Sequence, residues 1–240
     1  MNAILTIRAA AVAGLLMAAS AQAADSGFLT DYSKLKSSQG ALAARMYVVP
    51  DADKRAKSYR GVFVDQPEIF ISPNSKYKGM KPDDAKLIAD VLRESINGEL
   101  QGGSLLNLNA PQTGSLTIRV ALSDVMVQKK KRSLLTYTPA GFVIHSAKQA
   151  LSSVMSNIDV KSATVEIEII DSASGEVLAA GVEPRGTAGG GAAATSWDDL
   201  QAYLSTTGKR VACRLENAQK PEGARADCAA LTVPVPKKKK

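Results

Sequence analysis

Two glutamates, Glu166 and Glu168, stand two residues apart in "ATVEIEIIDSASGEVLAA", a spacing that puts both carboxylates on one face of a strand. A pair of carboxylates is what glycosidic hydrolysis requires, one to protonate the leaving oxygen and one to serve as base or nucleophile. The surrounding alternation points elsewhere. Ala163, Val165, Ile167 and Ile169 interleave with Thr164, Glu166, Glu168 and Ile170, which predicts a strand with one buried face and the glutamates on a solvated one. The chain has a single histidine, His145, and no G-x-S-x-G context beside a serine, so a histidine-based triad is not expected. No catalytic residues are expected.

Other constellations lead to structural roles. The glycines between Gly186 and Gly191 lack the G-K-[ST] ending of a phosphate loop and read as part of a flexible "GTAGGGAAAT" linker. Cys213 and Cys228 have no C-x-x-C spacing and only His145 to add to a ligand set, so a disulfide is expected and a metal site is not. No cofactor is implied. Two basic clusters remain, Lys129, Lys130, Lys131 and Arg132, then Lys237, Lys238, Lys239 and Lys240 at the C-terminus. Near an anionic membrane each such charge is worth on the order of 1 kcal/mol, so both are candidates for binding an anionic surface.

The opening "MNAILTIRAAAVAGLLMAASAQAADSGF" has Arg8, an apolar run from Ala9 to Ala19 and an A-x-A pattern at Ala21–Ala23, the signature of a secretory leader cleaved after residue 23. Ala24 stands where an acylated lipoprotein would carry cysteine. A periplasmic, non-acylated protein is expected, in a compartment where a disulfide persists, with outer-membrane association as the further option. Cleavage removes one of the 30 basic residues and none of the 23 acidic ones, and four of the remaining cations are the terminal lysines. The folded body is close to neutral, which excludes nucleic acid as a partner on electrostatic grounds.

The elements that must position these residues follow in order. Residues 24–58 are polar with scattered apolar positions and predict an irregular arm that wraps the domain. "YRGVFVDQPEIFIS" predicts the first strand, with Pro67 at an edge or a break. In "GMKPDDAKLIADVLRESINGELQGG", Pro82 suits the first helical position and Asp83 and Asp84 the first turn. Ala85, Ile88, Leu92 and Ile96 recur at helical spacing, and Gly102-Gly103 supplies the stop.

"GSLTIRVALSDVMVQKKK" sets Leu116, Ile118, Val120 and Leu122 on one face, then changes phase to Val125 and Val127, so a bulge or strong twist is expected near Ser123-Asp124. "QKKKRSLLTYTPAGFVIHSAKQAL" predicts a connector over Ser133–Met155. Thr138–Gly141 is its turn, and Ile144, Ala147, Leu151, Val154 and Met155 share a helical face; insertion at a membrane or partner surface is the alternative. A hairpin turning at Ser172–Gly175 and a last helix over 196–218, with Ser196 as N-cap and Asp198 and Asp199 in its first turn, complete the chain. This order predicts an α/β (α+β sandwich) fold, a small mixed sheet with helices packed on it. It comprises a leader (1–23), an arm (24–58), one α/β domain (59–217) and a basic tail (218–240) partly tied by the disulfide.

"SGFLTDYSKLK", "KPDDAKLIADVLRESI" and "ATVEIEIIDSASGEVLAA" together resemble the bacterial family called domain of unknown function thirty-three thirteen, over residues 26 to about 216. That resemblance implies an exported envelope protein. Many members are lipoproteins, and this sequence departs from them in lacking the acylated cysteine. In element order alone the chain is also similar to small α/β domains of envelope assembly factors such as the curli secretion lipoprotein and the TolB N-terminal domain. The expected function is therefore non-enzymatic binding of an envelope partner, whether protein, lipid or cell-wall glycan. A hydrolase of an envelope polymer and an oligomeric assembly subunit are the alternatives.

Overall fold

A computed structural model describes residues 25–38, 43–103, 105–129, 158–186 and 197–231. Along the chain these form β1 (Lys36–Ser37), β2 (Arg45–Val48), α1 (Ala52–Ala56), β3 (Gly61–Val64), β4 (Glu68–Ile71), α2 (Pro82–Leu100), β5 (Leu106–Leu108), β6 (Ser115–Lys129), β7 (Ile158–Asp171), β8 (Val177–Gly186) and α3 (Trp197–Gln219). Short 3₁₀ turns follow at Glu222–Ala224 and Cys228–Ala230. The strands make one open mixed sheet in the order β1-β2-β8-β7-β6-β3-β5, with β4 also paired to β6. This is the expected class, a mixed sheet with helices on it.

The long strand β6 organises the sheet. Its partner on one edge is antiparallel β7. On its other edge β3 and then β4 run parallel to it, Gly61–Val64 against Ser115–Ile118 and Glu68–Ile71 against Ala121–Val125. The single strand expected over residues 59–72 is thus two, broken at residues 65–67. Pro67 has no N–H to donate and disfavours a continuous ladder. The phase change in β6 is present as expected: Asp124 adopts a φ of 47°, the register slips between Ser123 and Met126, and the residues on both sides of the slip, Leu122 and Val125, are buried. One extra residue returns the apolar set to the same face.

Helix α2 begins at Pro82 with Asp83 and Asp84 in its first turn and buries Ile88, Ala89, Leu92, Ile96 and Leu100. The chain leaves it through Gly102 at φ +80°, a left-handed conformation that glycine adopts without steric cost. Helix α3 buries Leu200, Tyr203, Leu204 and Val211. The two helices cross closely at Gly208, where a Cβ would lie 3.3 Å from the Cα of Ile96 and 3.2 Å from the Cβ of Glu99. Both pack on one sheet face, and the main core of Val62, Val64, Ile118, Leu122, Val160 and Val165 sits between. Each such side chain contributes about 1.5–3 kcal/mol on burial.

Two expectations need correction. Residues 36–37 and 45–48, expected as irregular arm, are strands, and β2 pairs with β8 from Arg45↔Val182 to Val48↔Ala179. The hairpin's first strand begins at Ile158, ahead of the alternating stretch from Ala163, and Gly186, expected in the linker, closes β8. The leader, the connector with His145 and Leu151, Ser196, and the linker from 187 lie outside the described residues. No helix among the described residues is long and apolar enough to cross a membrane.

Candidate functional site

The second face of the sheet, opposite the helices, carries Arg119, Ala121 and Ser123 of β6 beside Glu168 and Glu166 of β7, with Arg119 opposite Glu168 and Ala121 opposite Glu166. Residues 25–35 lie across this face. Phe28 and Leu29 are buried there against Ala121, Ala180 and Val182. The expected solvated carboxylates are in fact sealed: Glu166 is 1 % exposed and Glu168 0 %. The arm covers them and supplies donors, and hydrogen bonding is the condition for a carboxylate to leave water at tolerable cost.

Glu166 accepts hydrogen bonds from the Tyr32 hydroxyl and the Ser123 hydroxyl. Glu168 accepts the backbone N–H of Thr30 at 2.9 Å and the guanidinium of Arg119 at 2.6 Å. The guanidinium of Arg119 also lies 4.7 Å from the centroid of the Phe28 ring and 3.9 Å from Glu68, so one cation joins sheet and arm by charge and by its stacked face. Tyr32 is held in turn by Ser26, whose hydroxyl lies 2.9 Å from its own. Burial pushes the Tyr32 phenol above its ordinary value, and the bond to Glu166 adds to that. Each carboxylate is thus buried in the sheet–arm seam and takes two described hydrogen bonds.

A second polar knot holds the hairpin turn. Asp171 accepts the N–H groups of Ala173 and Ser174 at 2.9 and 2.8 Å and the Tyr59 hydroxyl at 2.7 Å. These donors, Tyr59 first, lower its carboxyl to about 2. Burial, then the same bond, pushes the Tyr59 phenol up to about 12. Beside it Arg55 of α1 grips Glu176 with two bonds of 2.7 and 2.6 Å.

On the helix side an apolar groove opens between α3 and the β2–β8 end of the sheet. It consists of a recess of about 110 Å³ under α1 and one of about 30 Å³ further along, and Met46, Ile169, Ala179 and Val211 line both. Its depth comes from small residues, Ala52 and Ala56 on one wall and Ala179 and Gly181 on the floor. At the mouth stand Asp53, paired with Arg225 at 3.2 Å, and Arg214.

Cys213 and Cys228 are joined in a disulfide with Cα atoms 5.7 Å apart, as expected. Asn217 reinforces the closure by donating to the carbonyl of Ala226 at 2.7 Å and accepting its N–H at 2.9 Å. Of the two basic clusters only Lys129 is described, exposed at the end of β6. Lys130–Arg132 and Lys237–Lys240 lie outside the described residues. Among the described residues no group of His, Cys, Asp or Glu could hold a metal ion. Sequence reasoning missed Tyr32, Thr30, Arg119 and Ser123. Their one signal was a hydroxyl-rich "SGFLTDYS" in the same chain as two strand-face carboxylates.

Residues 24–211 match the family described as "Protein of unknown function (DUF3313)". No curated protein matches the sequence. Among solved structures, a PelC dodecamer from Paraburkholderia phytofirmans aligns at 13 % identity over 72 % of this chain and 95 % of that one, with a TM-score of 0.34. A neuraminyllactose-binding hemagglutinin homolog from Helicobacter pylori aligns at 11 % identity over 73 % and 90 %, with a TM-score of 0.33.

Proposed function

Since this chain belongs to the DUF3313 family, whose description assigns no activity, we propose from its own residues that it is an exported, periplasmic, non-enzymatic protein that binds a partner in the cell envelope. The observation that carries the reading is the fate of Glu166 and Glu168. They are the pair with the spacing for acid–base hydrolysis, yet each is buried and takes one hydrogen bond from the arm, Tyr32 or Thr30, and one from β6, Ser123 or Arg119. That favours a binding role over hydrolysis of an envelope polymer. The leader-like first 23 residues and the disulfide, which persists in an oxidising compartment, support export.

The test is crosslinking in the native envelope followed by mass spectrometry. Recovery of a specific protein, lipid or glycan adduct is expected, and adduct-free protein at every crosslinker length overturns the reading. Replacing Glu166 and Glu168 by Gln separates the rival: a hydrolytic activity on cell-wall glycan that disappears, while the fold is retained, would make the protein an enzyme.

A further inference from the structure

The groove beside α3 has a geometry that calls for a particular occupant. Tyr203, Thr207, Val211 and Leu215 line it at successive i, i+4 positions, so one helical stripe forms a wall about 18 Å long at the rise of an α-helix. The floor is β-sheet, kept low by the small residues Ala179 and Gly181. A long side chain at Ala179 would fill the trough, whereas at Gly181 even a Cβ would lie 3.0 Å from that of Ala43. The two recesses, about 110 and about 30 Å³, compare with the roughly 150 Å³ apolar cavity that accommodates a six-carbon benzene ring.

The walls are also chemically mute. Thr207 spends its hydroxyl on the carbonyl of Tyr203 at 2.9 Å and Tyr59 spends its own on Asp171. An extended peptide would bring N–H and C=O groups that find no partners here, a cost in a dry groove. An alkyl chain brings none. At the mouth Asp53 is held by Arg225. Arg214 is exposed, and among the arginines with described side chains it is the one with no hydrogen bond, ion pair or ring contact. The groove therefore presents a narrow apolar trough ending at an uncommitted cation.

We infer that this groove is a binding site for a single acyl chain with an anionic head, the chain lying along Val211 and Ala179 and the head meeting Arg214. The inference rests on the envelope-binding reading and specifies its ligand as a lipid.

Calorimetric and methyl-NMR titration of the secreted chain, disulfide intact, with hexanoate, octanoate and decanoate tests it. Affinity should climb about fourfold for each methylene taken out of water, until the trough is full. Arg214→Gln should weaken decanoate about tenfold, the loss of one charge-assisted contact, and leave decanol unchanged. Ala179→Leu fills the junction of the two recesses and should abolish binding of both. Ala56→Leu, on the opposite wall, gives the same answer where the first variant fails to fold. Absence of saturable decanoate binding, binding indifferent to the filling variant that folds, or preference for an acetylated Leu-Val-Leu-Leu peptide at the same methyls overturns the inference. Crosslinking of the filled variant in the envelope keeps the two readings apart. An adduct that persists when decanoate binding is absent leaves an envelope partner in place and removes the acyl site alone.

Discussion

Arg119 reaches Glu168 at 2.6 Å across the β6–β7 pair, and the Glu168 side chain is buried while that of Arg119 is 29 % exposed. The pair is therefore asymmetric: the cation can return to water and the anion cannot. Arg119→Ala leaves a buried carboxylate with the Thr30 N–H as its remaining donor, and a loss of about 3 kcal/mol is expected. Replacing both, Arg119→Met with Glu168→Leu, should recover much of it. Urea melts of the single and double variants give the comparison, and a double variant as unstable as the single would show that the pair itself, not the stranded charge, carries the energy.

Tyr32→Phe removes one donor from Glu166 and keeps the ring. A cost of about 1–3 kcal/mol is expected for the under-satisfied buried acceptor, with the arm loosened first. Trypsin should then cut faster at the exposed Lys34 and Lys36 than anywhere in β6–β8. Equal acceleration at all sites would mean global unfolding and no separate arm.

Gly208 allows α3 to approach α2 within contact distance of Ile96. Gly208→Val forces the helices apart, and overpacking of this kind costs about 1–3 kcal/mol. Gly208→Ala should fall in the same direction, because its Cβ meets backbone of Ile96 at 3.3 Å. Thermal melts rank the three proteins, and a stabilised Ala variant, as ordinary helix propensity would give, would disprove the close crossing.

Asp171 makes stability pH-dependent. Its folded value of about 2 lies below the roughly 3.9 of an unfolded aspartate, so between those limits the unfolded chain binds more protons. Stability from this group is full above about pH 4 and is lost as pH falls toward 2. Asp171→Asn should be less stable than the parent at pH 6 and close to it at pH 2.5, as chemical melts at the two pH values will read out. A constant gap would exclude Asp171 as the titrating group.

Reducing the Cys213–Cys228 bond opens a loop with a sequence separation of 15, worth about 3 kcal/mol in the chain-entropy description. The residues between should exchange amide hydrogens faster while β6 and β7 stay protected. Unchanged exchange at Glu222–Asp227 would mean that Asn217 and the Arg225–Asp53 pair hold the segment unaided.

Much of this fold is legible in local pattern, and the limits have a physical origin. Pro82, the acidic first turn and Gly102 define α2 because capping is a local affair. The slip at Asp124 shows as a change of apolar phase within one strand. By contrast, strand alternation reports only which side chains share a face, not what lies upon it. Glu166 and Glu168 read as solvated because the arm residues that cover them are 134 and 138 residues away. Strands β1 and β2 are short and mixed in polarity, so pairing with β8 defines them more than composition does. The groove was invisible for a similar reason. It arises where Ala179 and Gly181 fail to fill a space bounded by α1 and α3, and absence of bulk has no sequence period.

The long sequence separation of the arm contacts also sets a timetable. A ribosome adding about 5–20 residues per second delivers Tyr32 roughly 7–27 seconds before Glu166. During that interval Phe28 and Leu29 have no sheet to cover, and Thr30 has no carboxylate to meet. This early-made segment thus waits for strands made much later, and its seating reports that β6, β7 and β8 are already assembled.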